Sequence, residues 1–182
     1  MVFKIRGIIP AIRNTKYIDK AINSNHEVVF LLTGNILNIR MLISKIKTHT
    51  KHVLVDVDLL KGIATDEWGI EYLKDTVEVD GIISTRQSMI EIAKKMDLVT
   101  VQRVFILDSQ GLTKAIASTK NSHADYIEIL PAPVVFYIYD ELKRFKNVLI
   151  AGGLVKTQEI AKAILNRGII AITTSCPALW VK

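Results

Sequence analysis

The feature that most constrains this chain is a recurrence. Apolar, β-branched runs return every 21 to 27 residues: "RGIIPAI" (Arg6–Ile12), "VVFLL" (Val28–Leu32), "VLVDVD" (Val53–Asp58), "DGIIST" (Asp80–Thr85), "VQRVFIL" (Val101–Leu107), "ADYIEIL" (Ala124–Leu130), "NVLIAGG" (Asn147–Gly153) and "GIIAITT" (Gly168–Thr174). Between them lie segments with helical spacing. In "TQEIAKAILNRG", Ile160, Ala163 and Ile164 share a face, Thr157 can cap the start and Gly168 follows the end. Strand then helix, about eight times over, is the pattern of a parallel sheet. It predicts an α/β fold of TIM-barrel type, a compact (β/α)8 barrel formed by one domain over residues 1–182, with ligands at the C-terminal ends of the strands. Such barrels usually take at least about 200 residues, so the helices must be short or one must be missing. An open doubly wound sheet is the alternative, and would move ligands to its switch point.

In a barrel the last two strand ends acquire a meaning. Phosphate commonly binds at the loops after strands 7 and 8, beside the N-terminus of a short extra helix. Here those loops read "GGL" and "TTSCPALW". Backbone N–H groups at Gly152 and Gly153, the hydroxyls of Thr174 and Ser175, and a helix start near Pro177 are expected to converge on one anion. Taken singly, either loop reads as a tight turn or a capped helix.

Other strand ends carry polar groups that an apolar barrel would not need. Val53, Val55 and Val57 share the face that should meet helices, so Leu54, Asp56 and Asp58 are expected to point inward. The same alternation turns Tyr126 and Glu128 inward. Buried carboxylates need partners. Arg13, Arg86 and Arg103 are the candidates, although the parity of "VQRVFIL" leaves open whether Gln102 or Arg103 points in. A structural ion-pair network and a polyol-phosphate site would use the same groups.

The net charge of +6 is unevenly placed. Residues 1–55 hold nine Lys or Arg against two acids, so the whole excess is assigned to the first third. Between Val28 and Val55 there is no acid, while Arg40, Lys45, Lys47 and Lys51 accumulate with His49 and His52. Such a field attracts polyanions, nucleic acid first among them; a solvated helix face is the bland alternative.

Several chemistries lack support. There is no G-x-G-x-x-G and no G-x-x-x-x-G-K-[ST], so neither a dinucleotide nor a P-loop nucleotide is expected. His26, His49, His52 and His123 show no metal-ligand spacing, Cys176 has no recognisable His partner, and Ser84, Thr85 and Ser109 show no nucleophile elbow. No lysine stands on an inner strand face for a Schiff base. A lone cysteine and an N-terminal apolar run broken by Pro10 and Arg13 point to the cytoplasm, and no apolar segment approaches the roughly 18 residues of a membrane span.

The blocks "IIPAIRN" (Ile8–Asn14), "VDVDLLKGI" (Val55–Ile63), "DGIISTR" (Asp80–Arg86), "VQRVFILDS" (Val101–Ser109), "YIEILP" (Tyr126–Pro131), "AGGL" (Ala151–Leu154) and "TTSCPALW" (Thr173–Trp180) follow one another along almost the whole chain. In them the sequence resembles the glycerol uptake operon antiterminators, the glycerol-3-phosphate-responsive regulators that bind leader mRNA. The resemblance implies a barrel-like fold, glycerol 3-phosphate as effector at the strand ends, no cofactor, and RNA binding rather than catalysis. It implies Gly152, Gly153, Thr174 and Ser175 as phosphate clamp and Arg13, Asp58, Lys61, Arg86 and Glu128 as polar shell. Arg40, Lys45, Lys47 and Lys51 are the candidates for RNA, and a homo-oligomer stays open. Three positions depart from the family pattern: Asp56 where a histidine is frequent, Ala132 where a glycine follows the proline, and Cys176 where an Asn-like residue precedes one. Asp56 beside an anionic ligand calls for a cation, with Arg13, Lys61 and Arg86 in reach. The competing reading is a small enzyme acting on a phosphorylated polyol or sugar, with Asp58 or Glu128 as general base.

Overall fold

The computed structural model describes residues 3–49 and 51–180. Eight parallel strands close into a barrel in chain order: β1 (Gly7–Ile12), β2 (Val28–Leu31), β3 (His52–Asp56), β4 (Gly81–Ser84), β5 (Val99–Phe105), β6 (Tyr126–Leu130), β7 (Val148–Gly152) and β8 (Ala171–Thr174). β1 and β8 make the closure, pairing from Gly7 with Ala171 to Pro10 with Thr174. The open-sheet alternative is thereby excluded.

The chain fits the barrel by shortening its connections. Six α-helices form: α1 (Ile18–Ile22), α2 (Ile39–Lys47), α3 (Glu67–Glu71), α4 (Gln87–Lys95), α5 (Ser109–Thr119) and α6 (Gln158–Leu165). After β6 two 3-10 segments, Ala132–Phe136 and Tyr139–Arg144, replace a helix, and after β8 the described residues form only the 3-10 turn Pro177–Leu179. Pro131 and Pro133 explain the first replacement, because proline offers no N–H to an α-helical ladder and is tolerated only at its start. Among the described residues no helix is long and apolar enough to cross a membrane.

Strand alternation builds two apolar layers. Ile9, Phe30, Leu54, Ile83, Val101 and Ile150 fill the interior, while Val53, Val55, Ile82, Ile127 and Ile172 face outward onto Ile43, Ile46, Ile90 and Ile164 of the helices. This alternation also decides β5. Val101 belongs to the inner layer and Val104 to the outer, so Arg103 points inward and Gln102 outward. In β3 the strand stops at Asp56, and Asp58 lies in the turn beyond it, its N–H donating to Asp56 Oδ1 at 3.1 Å. The strand parity that predicts an inward Asp58 therefore does not apply to it. Toward the C-terminal ends the interior changes from apolar to polar, and the site begins there.

Candidate ligand site at the strand ends

The floor of the site is a buried ionic cluster. Arg103 donates from Nε to Glu128 Oε2 at 2.7 Å and from Nη1 to Asp56 Oδ2, and the Thr173 hydroxyl donates to Glu128 Oε1 at 2.5 Å. Neighbouring strands make this possible, since Arg103 and Glu128 are register partners and Gly152 is the register partner of Thr173. A Cβ on Gly152 would stand 2.1 Å from Thr173 Oγ1 and 2.7 Å from Glu128 Oε1. Gly152 thus makes room for the cluster and lies outside the cavity lining. Burial pushes the Asp56 carboxyl above its ordinary range, Arg103 pulls it back, and Asp58 and Glu128 push it further up. The cation that offsets Asp56 is Arg103, and not Arg13, Lys61 or Arg86.

Above this floor opens a cavity of about 550 Å³, lined by Arg13, Leu32, Arg103, Glu128, Leu130, Gly153 to Lys156 and Thr173 to Cys176. Its mouth is built for an anion. The side chains of Arg13 and Lys156 are exposed and make no hydrogen bond or ion pair among the described residues, and the backbone N–H groups of Gly153 and Ser175 are likewise unused. Gly153 and Leu154 both take positive φ, 78° and 61°. Leu154 is a bulky residue in a region that favours glycine, the kind of strain that persists only where surrounding structure demands it.

The expected phosphate clamp is divided by the structure. Gly153 and Ser175 line the cavity with free N–H groups. Thr174 lines it too, but its hydroxyl donates to the Val155 carbonyl at 2.8 Å and accepts from Cys176 N–H at 3.1 Å, which fastens the β8 loop to the β7 loop. Its own carbonyl takes the Trp180 Nε1–H at 2.9 Å. The helix expected near Pro177 is a three-residue turn, too short to align the peptide dipoles that favour an anion.

The expected polar shell is divided as well. Arg13 and Glu128 line the cavity, whereas Asp58, Lys61 and Arg86 stand outside it. Asp58 accepts from Ser84 Oγ at 2.9 Å, Thr85 N–H at 2.7 Å, Thr85 Oγ1 at 2.8 Å and Arg86 Nε and Nη2 at 3.2 and 3.0 Å. Arg86 also donates to Thr65 Oγ1 at 2.8 Å. The group clasps the β3 loop to the end of β4. Lys61 joins the β2 loop instead, through a bridge to Asn35. Both carboxylates considered as general bases are engaged within the fold, Asp58 in this clasp and Glu128 through both oxygens with Arg103 and Thr173.

Burial raises Asp58, but the Thr85 N–H and hydroxyl, Ser84 and Arg86 outweigh it and hold its carboxyl below the usual range. A carboxyl depressed on folding adds stability that is present above its unfolded value, about 3.9, and is lost as pH falls through the lower folded value. Asp58→Asn is therefore expected to cost about 1–3 kcal/mol in urea unfolding at pH 7, with a gap that closes below about pH 4. A gap constant down to strong acid would refute the linkage.

Of the residues expected to meet RNA, three are engaged within the fold. Lys45 pairs with Asp19 at 2.6 Å, Lys47 with Asp80 at 3.2 Å and with the Glu78 carbonyl, and Lys51 donates to the Ser24 and His26 carbonyls at 2.6 Å each. Arg40 is exposed on α2. Thr173 and Lys156 went unread in the sequence. Thr173 shares the face of Ala171, two residues back along β8, and Lys156 stands in an acid-free loop; both are visible once the barrel is assumed.

The pattern of the family described as glycerol-3-phosphate responsive antiterminator matches residues 8–180. The chain belongs to this family. It is 34% identical over 173 residues to the uncharacterized protein YgcP of Escherichia coli (strain K12), covering 95% of this chain and 91% of that one. The crystal structure of a glycerol uptake operon antiterminator regulatory protein from Listeria monocytogenes superposes with a TM-score of 0.91 at 31% identity, covering 99% of this chain and 97% of that one. A glycerol uptake operon antiterminator-related protein from Thermotoga maritima gives 0.86 at 33% identity, covering 97% and 99%. Both solved structures thus superpose on nearly the whole of this barrel.

Proposed function

We propose that this chain is a glycerol-3-phosphate-responsive transcription antiterminator of the cytoplasm, which binds leader mRNA of glycerol-utilisation genes when its effector occupies the strand-end cavity. The observation that carries the proposal is the cavity mouth, where Arg13, Lys156 and the N–H groups of Gly153 and Ser175 offer charge and donors with no partner among the described residues. A phosphate there would leave the glycerol hydroxyls toward Glu128 and Arg103 on the floor. A volume of about 550 Å³ holds so small a ligand with water to spare. The coupling to RNA requires that the ligand prefer the RNA-competent arrangement of the loops.

The test has two arms. Calorimetry with glycerol 3-phosphate is expected to show binding that Lys156→Ala and Arg13→Ala weaken. Selection from a random-sequence RNA pool is expected to enrich defined sequences only when the ligand is present. Absence of heat would overturn the ligand, and absence of enrichment in both conditions would overturn the RNA.

A further inference from the structure

The charge of this protein is arranged by the closure of the barrel rather than by position in the chain. Residues 3–55 hold nine Lys or Arg against two acids and residues 143–180 hold six against one, whereas residues 56–142 hold eight against fifteen. The two basic stretches are far apart in sequence, and the pairing of β1 with β8 makes them neighbours. One half of the barrel, built from β7, α6, β8, β1, α1, β2 and α2, therefore carries fifteen cations against three acids, a local +12. The other half carries −7, and Lys182 accounts for the remainder of the net +6. The expectation that the excess lies only in the first third is corrected accordingly.

Helix dipoles do not explain the difference. They favour cations at every helix C-terminus alike, and α4 of the acidic half ends in Lys94 and Lys95 just as α2 ends in Lys45 and Lys47. Nor is the basic field cancelled by local pairing. Lys20 on α1 is exposed and makes no ion pair among the described residues, and Lys162, exposed on α6, has Glu159 in electrostatic reach but forms no close ion pair with it. The short turn Pro177–Leu179 follows β8 on this side, with Trp180 packed edge-on against Tyr17 at 6.3 Å.

We infer that this β7–β8–β1–β2 half is the surface on which RNA docks, through its phosphate backbone. The inference rests on the RNA reading above and adds where the RNA lies. The ligand cavity is shared between the halves, its floor drawing Arg103 and Glu128 from the acidic one, while Arg13 and Lys156 of the basic half line it as well. Effector and RNA therefore draw on one field. A bound phosphate lowers that field by its own charge, so ligand-promoted RNA binding must come from reshaping the loops around Arg13 and Gly153 to Lys156.

The probes are labelled poly(U) and a random-sequence RNA pool, followed by fluorescence anisotropy across salt concentrations with and without glycerol 3-phosphate. Lys20→Glu combined with Lys162→Glu reverses two cations of the basic half. Lys95→Glu combined with Lys120→Glu makes the same change in net charge on the acidic half, at residues that are also exposed and unpaired among the described residues. The first pair is expected to lose about tenfold or more in affinity at low salt and to flatten the dependence of log K on log salt by about one unit per lost contact, while the second changes little. Equal losses in both pairs would overturn the docking surface and leave RNA binding standing. A wild-type chain that binds neither probe would overturn both. Salt-sensitive self-association abolished by the first pair, with RNA affinity unchanged, would assign the basic half to the acidic half of a second copy.

Discussion

Arg103→Met is expected to destabilise the barrel by about 3–5 kcal/mol at neutral pH, since it leaves two buried carboxylates with no cation between them. Arg103 is the only positive group bonded to either Asp56 or Glu128 among the described residues. Without it the Asp56 carboxyl keeps the burial that already raises it and loses the cation that pulls it back, so its folded pKa rises further above the unfolded value, about 3.9. A carboxyl raised on folding penalises the folded state above its folded pKa, and the penalty fades as pH falls through that value. The gap between wild type and variant should therefore narrow from pH 7 toward pH 4 because the variant recovers stability, whereas the Asp58 gap closes in acid because wild type loses it. Asp56→Asn is the control. It removes the carboxyl whose charged form burial already disfavours and leaves Arg103 paired with Glu128, so it should cost far less. Urea unfolding of the two variants across this pH range decides the matter. A stable Arg103→Met, or an Asp56→Asn equally damaged, would show that the cluster does not depend on its one cation.

How much of this was legible follows from which force sets each feature. The eight strands were readable because burial on both faces of a parallel strand leaves an unbroken apolar run, and the inward turn of Asp56 and Glu128 followed from strict alternation. Alternation needs a strand. It failed at Asp58, where β3 had already ended, and it left Arg103 undecided because the inner and outer faces of "VQRVFIL" are both apolar elsewhere in the run. The replacement of two helices by 3-10 turns is written in Pro131, Pro133 and Pro177, whereas length alone says only that the helices are short or one is missing. Partners were the least legible layer. That Lys45 faces Asp19, or that Thr174 binds the Val155 carbonyl, depends on which helix and loop pack side by side, and one-dimensional spacing carries no record of that. The basic half was hidden for the same reason, because its two stretches meet only at the β1–β8 seam.

The glycine pair separates these layers within two adjacent residues, and its substitution gives the second large effect. Gly152→Ala places a Cβ 2.1 Å from Thr173 Oγ1, so Thr173 must rotate and surrender its hydrogen bond to Glu128. Overpacking of about 1–3 kcal/mol then adds to the loss of a charge-assisted hydrogen bond of about 1.5–3 kcal/mol. Gly153→Ala meets nothing closer than 3.7 Å and costs only the strain of its φ of 78°, about 1 kcal/mol. Thr173→Ala introduced together with Gly152→Ala removes the colliding oxygen, and the double variant should regain part of the loss, a coupling that a thermodynamic cycle measures directly. The effects on ligand should follow the same order. Gly153 keeps its N–H at the cavity mouth as alanine, so calorimetry with glycerol 3-phosphate should change mainly through loop strain, whereas Gly152→Ala disturbs the floor on which the hydroxyls would rest. If Gly153→Ala proves the more destabilising of the two, or the double variant gains nothing, then Gly152 does not exist to house the Thr173–Glu128 contact, and the buried cluster is not what the end of β7 was shaped around.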